Sequence, residues 1–301
     1  MSGYTVRREF MRNFRGLQKN HRILAILVVT FYAAQVVLAI TLGSWLLQQE
    51  LTWASGLGVG ALVFFIATRL RGFNNIVHEC SHYSFSVNRD DNRILGSICA
   101  SFNLGCFRVY RDEHLTHHAH VGDYERDMDL HGIQDLKLEA KLTPKTVLRH
   151  ILTPILGLHF PYYLNPNFSA EDGRIYWLLK IGLVAAAIVF LLVNPLAALM
   201  LVWLPFLWVF TAINYWTDCI DHAGIVGNED ELEASRNLVV PKVIRAILFP
   251  RNDCFHLVHH LFPLIPANHL EACHEKLMQN PAYNQRVTGG VDAPPIMTPA
   301  E

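Results

Sequence analysis

Four stretches of this chain are apolar over the length that a bilayer demands. Ile23 to Leu47 carries no charge, Trp53 to Leu70 meets only Arg69, Ile175 to Val193 holds Lys180 one turn inside, and Leu196 to Ile213 is again uncharged. A membrane-crossing helix takes about 20 mainly apolar residues, within a range of roughly 17–25, so spans are expected near 23–47, 53–70, 175–193 and 196–213. Short turns, Gln48 to Thr52 and Asn194-Pro195, join them into two hairpins. Lys180 is expected to snorkel to the interface.

The polar positions between the spans set the orientation. Neither hairpin turn has Lys or Arg, whereas Arg7, Arg8, Arg12, Arg15, Lys19 and Arg22 precede the first span and most other cations follow the second and fourth. The positive-inside rule then puts both termini and the intervening polar segments in the cytoplasm. No cleavable signal peptide is expected, since the basic lead runs into an apolar segment too long for one. Val6, Phe10, Phe14 and Leu17 share a helical face opposite the arginines, which predicts a helix on the membrane surface. Ile94 to Phe107 and Ile151 to Leu164 are apolar but too short to span, so interfacial or re-entrant packing is expected. The chain divides into a basic amphipathic segment (1–22), a membrane domain (23–280) and a flexible tail (281–301) rich in Gly and Pro.

Composition agrees with the pattern. Of 301 residues 51% are hydrophobic and only 17% charged, with a mean hydropathy of +0.22, against about 25% charged in soluble domains. A net charge of -1 argues against a nucleic-acid partner. The six cysteines form no CxxC pair, and reduced thiols are expected.

The sixteen histidines change the picture. Three clusters stand out: His78 with His82, His114 with His117 and His118, and His256 with His259 and His260. Residues at i, i+3 and i+4 share one helix face, so each cluster presents its imidazoles in one direction. If the second span continues as a helix, His78 lies roughly 12 Å beyond Leu70, and by the same rise His222 lies roughly 13–14 Å beyond Ile213. Matching heights make His222 a ninth candidate ligand. Nine neutral imidazoles exceed the four that one structural zinc uses, and imidazole suits iron, copper, nickel and zinc alike. Ligand count and membrane setting point to a dimetal centre that activates dioxygen.

The three boxes, HxxxH, HxxHH and HxxHH, resemble those of the membrane fatty acid desaturase and hydroxylase superfamily of integral di-iron enzymes. The third is the most specific: His256, His259 and His260 run into Phe262-Pro263 and then Pro266, similar to the acyl desaturase form. Asn214 to His222 resembles the extra-histidine segment after the last span, and the likeness covers roughly Ile23 to Glu275. The resemblance implies an all-α integral membrane fold, four transmembrane helices capped by a cytoplasmic helical domain. It also implies two iron ions on His78, His82, His114, His117, His118, His222, His256, His259 and His260, with dioxygen as co-substrate. No HPGG haem motif is present, so electrons are expected from a separate ferredoxin, cytochrome or reductase.

Loss of two hydrogens from a methylene pair would give an alkene, and the Phe-Pro form of the third box favours that outcome for an acyl or lipid-like substrate. Hydroxylation or ketolation of a lipid, carotenoid or small specialised metabolite is the alternative. His78-Glu79-Cys80-Ser81-His82 also reads as HExxH, the signature of a zinc metalloprotease, but that would leave two boxes without a role. Glu79, Asp112, Asp218, Asp221 and His120 are candidates to orient the ligand histidines. The acidic run Asp123, Glu125, Asp127 and Asp129 is expected to be a hydrogen-bonded loop, Glu271 with His274 a solvated helix face, and His150 and His159 surface or interfacial residues.

Overall fold

The computed structural model describes residues 2–50, 52–228 and 230–289. Four of its helices are long and apolar enough to cross a membrane. In chain order the helices that matter are α1 (Gly3–Phe14), α2 (Arg22–Leu47), α3 (Trp53–Ser81), α4 (Arg89–Phe102), α5 (Phe107–His120) and α6 (Pro144–Ile155). They are followed by α7 (Arg174–Val193), α8 (Pro195–His222), α9 (Lys242–Leu248), α10 (His256–Leu261), α11 (Leu270–Leu277) and α12 (Pro281–Thr288).

The spanning helices α2, α3, α7 and α8 form the two expected hairpins. A capping box at Thr52 and Ser55 starts α3, which then runs unbroken for 29 residues, about 43 Å at 1.5 Å per residue. A hydrocarbon core is only about 30 Å thick, so its last turns stand clear of the lipid. Helix α8 reaches as far, over 28 residues. Pro205 has no N–H to give an α-helix and would crowd the preceding turn. The helix accommodates it with π-helical turns at Leu199–Trp203 and Pro205–Val209.

Small residues let α2 and α3 approach. Ala25, Val29, Tyr32 and Ala39 pack against Val59, Val63, Ile66 and Phe73, and a Cβ on Gly72 would lie 2.1 Å from Tyr32 Cε1. Gly72→Ala must therefore displace the Tyr32 ring, and overpacking of this kind typically costs about 1–3 kcal/mol. The expected result is a lower thermal midpoint in detergent; an unchanged midpoint would show that the ring moves freely.

Lys180 departs from expectation. It is fully buried, and its ammonium donates to the carbonyls of Asn167 (2.6 Å), Ser169 (3.0 Å) and Gly105 (3.3 Å). Three backbone oxygens replace the water that snorkelling would have reached. Helix α1 also differs: Val6 and Phe10 are buried against Leu232, Phe249 and Phe262 of the cap, so its apolar stripe is covered by protein rather than lipid. The proposed tail begins as α12, capped by Asn280 and anchored by the buried Tyr283; residues 290–301 lie outside the described residues. Of the two short apolar stretches, α4 buries Leu95, Cys99 and Ala100 against α3. Helix α6 leaves Val147, Leu148, Ile151 and Ile155 exposed as an apolar face.

Candidate metal centre

The cap draws the histidine segments together above the spans. Helix α3 delivers His78 and, at its end, His82; α5 delivers His114, His117 and His118; α8 ends at His222; α10 carries His256, His259 and His260. Helix α5 is aimed by a carboxylate at its start, where Asp172 accepts from the backbone N–H groups of Phe107 (2.7 Å) and Arg108 (3.0 Å). An acid there also complements the helix dipole.

The nine imidazoles form two groups. His78, His82, His114, His118 and His259 make one, and His117, His222, His256 and His260 the other; within each, one ring nitrogen per residue lies within 4.8 Å of the rest. The closest approaches are between Nε2 atoms. His259 is 2.7 Å from His78 and 2.9 Å from His118, and His118 is 3.2 Å from His114. In the second group His256 is 3.0 Å from His222 and 2.9 Å from His260, which is 3.2 Å from His117.

The opposite edges of three rings fix which nitrogen carries the proton. His114 Nδ1 meets Asp129 Oδ2 at 2.9 Å, His117 Nδ1 meets Asp127 Oδ2 at 2.7 Å, and His222 Nδ1 meets the Ala234 carbonyl at 3.0 Å. His256 Nδ1 lies 3.6 Å from Asp221 Oδ2. The partners of His114, His117 and His222 only accept, so in these three Nδ1 is the donor and Nε2 presents a lone pair inward. Lone pairs facing one another about 3 Å apart repel, and a cation between them turns that repulsion into ligation. His82 Nε2, in the group of five, is buried with no hydrogen-bond partner. The donor set fits two nitrogen-bound metal ions.

Electrostatics keeps most of these rings neutral. Burial, together with the charge of neighbouring imidazoles, pushes His118, His256, His259 and His260 well below the ordinary histidine range. Burial also lowers His114, against the pull of Asp129, whose own carboxyl is held at about 2, burial notwithstanding, by its bond to His114. His117 is raised: burial opposes protonation, but Asp127 outweighs it. A bound cation would displace that proton, as ligand histidines are neutral.

The residues expected to orient the ligands divide. Asp221 faces His256 at 3.6 Å. Asp218 instead accepts from the Tyr163 hydroxyl at 2.5 Å. Asp112 sits two residues from His114, hence on another helix face; its side chain is 75% exposed, near Arg111. The His120 ring makes no hydrogen bond or ring contact with the nine among the described residues. Glu79 touches no histidine either. Its two oxygens accept from Arg251 Nε (2.7 Å) and Nη2 (2.8 Å), because a buried carboxylate needs a buried cation. That pair ties α3 to the strand of chain before α10 and occupies the glutamate an HExxH hydrolase would use as its base.

Sequence reasoning missed Asp127 and Asp129. Their signal was the alternation of acids after the second box, but nothing local relates them to rings 10 and 15 residues back. It also expected His150 and His159 at the surface or interface and His274 on a solvated helix face, and all three are buried: His150 on the Tyr215 hydroxyl (2.6 Å), His159 on Thr211 (2.9 Å) and His274 on Tyr283 (2.8 Å). Glu271 is held by Arg245 at 2.8 Å. Because Asp127 fixes the tautomer of His117, Asp127→Ala is expected to lower metal affinity about 10–100-fold, read by competition with a chelator. Unchanged affinity would remove Asp127 from the site.

Four membrane-length helices beneath a helical cap that gathers nine histidines into a cluster able to hold metal define an all-helical membrane protein of the histidine-box class. The sequence pattern of the fatty acid desaturase family matches residues 51–289, and the chain belongs to that family. Among relatives, the dihydrorhizobitoxine desaturase of Bradyrhizobium elkanii is 26% identical over 244 residues, 73% of this chain and 68% of that protein. The chloroplastic omega-3 fatty acid desaturase of Glycine max is 26% identical over 225 residues, 64% of this chain and 48% of its own length. The endoplasmic-reticulum acyl-lipid omega-3 desaturase (cytochrome b5) of Arabidopsis thaliana is 26% identical over 271 residues, 79% of this chain and 65% of its own. The chain thus spans about half the length of the Glycine max protein.

Proposed function

We propose that the protein is a dioxygen-dependent di-iron desaturase. One iron is assigned to His78, His82, His114, His118 and His259, the other to His117, His222, His256 and His260. The observation that carries this reading is the division of nine histidines into two groups that could each hold a metal ion, with Nε2 of His114, His117 and His222 turned inward, in a chain of the desaturase family. Zinc has no redox chemistry, whereas two irons held by these histidines would supply the redox chemistry by which dioxygen removes hydrogen from an unactivated methylene. The balance is one CH2–CH2 unit, one dioxygen, two electrons and two protons giving one CH=CH unit and two waters.

The protein's own residues do the rest. Asp127 and Asp129 hold His117 and His114 in the tautomer that ligates. The Glu79–Arg251 pair fixes α10 against α3, so the third box keeps its register with the first. A cavity of about 420 Å3 adjoins both groups, touching His78, His114, His117, His222 and His256; it confines the substrate beside the centre. Electrons come from a separate ferredoxin, cytochrome or reductase, and the cytochrome b5 in the name of the Arabidopsis relative supports a partner of this kind. The basic segments support a cytoplasmic cap and cytoplasmic termini. Relatives are named for both acyl lipid and dihydrorhizobitoxine, so the substrate is set by the cavity rather than by the family.

The test is turnover under isotopically labelled dioxygen, in membranes supplied with a reduced ferredoxin. Desaturation predicts a product two hydrogens lighter that carries no label, with the label in water. One labelled oxygen in the organic product would make the enzyme a hydroxylase.

A further inference from the structure

Part of the wall of the cavity beside the histidines is polar where an alkyl chain would need hydrocarbon. Asn74, Asn103, Asn165, Asn214, Asp218 and Tyr110 line it. A methylene chain laid against them would strip away water and return no hydrogen bond, and unmatched desolvation of this kind is a direct cost of binding.

The wall is also unbalanced in charge, with Arg71 against Glu113, Asp129, Asp218, Asp221 and Asp253. Its cation and two of its hydroxyls are already engaged. Arg71, the one Lys or Arg side chain among the lining residues, gives Nη2 and Nε to Asp253 (2.6 and 3.1 Å) and Nη1 to Asn214 Oδ1 (2.9 Å). The Tyr163 hydroxyl is spent on Asp218, and that of Tyr162 on Asp135. Acceptors stay open. Asn103 donates its Nδ2 to the Leu70 carbonyl at 3.2 Å, which fixes the amide, and its Oδ1 is buried with no partner. Asp218 accepts at Oδ2 only. The amides of Asn74 and Asn165 hold no hydrogen bond among the described residues, so each can accept as well as donate. With Arg71 neutralised by Asp253, Asp218 is left as a wall carboxylate that touches neither a histidine nor a cation.

We infer that the substrate is a small, water-soluble molecule bearing an amine, whose N–H groups are received by the open oxygens of this wall while its carbon–carbon bond lies beside the histidines. The inference rests on the desaturase reading and takes the small-metabolite branch among the substrates compatible with it.

The experiment compares cells making the wild type or His259→Ala, each with a ferredoxin and its reductase, by mass analysis of aqueous and chloroform extracts. The inference predicts a wild-type-specific, amine-containing species two hydrogens lighter than its parent in the aqueous extract, with lipids unchanged. It further predicts that Asn103→Leu lowers this product at least about ten-fold at unchanged iron content, as loss of a buried hydrogen-bond partner does. A lighter species confined to the chloroform extract would overturn the amine substrate and leave the desaturase reading standing. No lighter species in either extract, from iron-loaded protein with a working donor, would overturn the desaturase reading and this inference with it.

Discussion

His259→Ala is expected to bring turnover below about one-hundredth of the wild-type rate. Loss of a residue that merely orients a ligand costs about 10–100-fold, and His259 stands inside the group of five, its Nε2 2.7 Å from that of His78 and 2.9 Å from that of His118. Alanine would remove a donor from between the first and second boxes, so the metal content of the purified protein should fall together with the activity. Membrane insertion should be untouched, because the hydropathy that drives it resides in α2, α3, α7 and α8. Turnover above a tenth of the wild-type rate, at normal expression, would contradict the ligand role.

Glu79→Ala should act through stability. The carboxylate is buried and forms a two-point pair with Arg251, reinforced by the Ala267 backbone N–H at 3.3 Å. Removing one partner leaves a buried guanidinium uncompensated, and such losses typically cost about 3–5 kcal/mol. The double variant Glu79→Ala, Arg251→Met should recover much of that loss, since it removes both charges. Thermal unfolding in detergent reads both variants. A Glu79→Ala protein as stable as the wild type but inactive would instead mark Glu79 as a group acting on substrate.

These expectations bear on what could be read from the chain alone. The four spans were legible because bilayer thickness imposes a length and a polarity that no other fold demands. The extension of α3 and α8 beyond the lipid was legible for a similar reason: a helix rises by a fixed amount per residue, so His78 and His222 could be set at matching heights before any contact was known. His222 Nε2 lies 3.0 Å from His256.

Partners drawn from distant segments were not legible. Lys180 is held by carbonyls of residues 105, 167 and 169, and a lysine in an apolar helix gives no sign of them. Asp127 and Asp129 sit in an acidic run whose composition suits a solvated loop; only the fold turns them onto His117 and His114. Glu79 shows the converse. Its place beside His78 suggested work on histidine, but its pairing is decided by Arg251, 172 residues away. Helix α1 carries the amphipathic stripe of a membrane-surface helix, and the same stripe serves equally well to pack on Leu232 and Phe249. Periodicity identifies an apolar face without naming what covers it.

Metal stoichiometry tests most directly whether the nine histidines hold two irons. Wild-type protein, purified in detergent after anaerobic loading with ferrous iron and removal of excess metal, should carry about two irons per chain, as two nitrogen cages of this kind require. His259→Ala and His260→Ala, one from each group, should each fall below that value. A single ion per chain in the wild type, or a stoichiometry that neither substitution alters, would contradict the two-cage account.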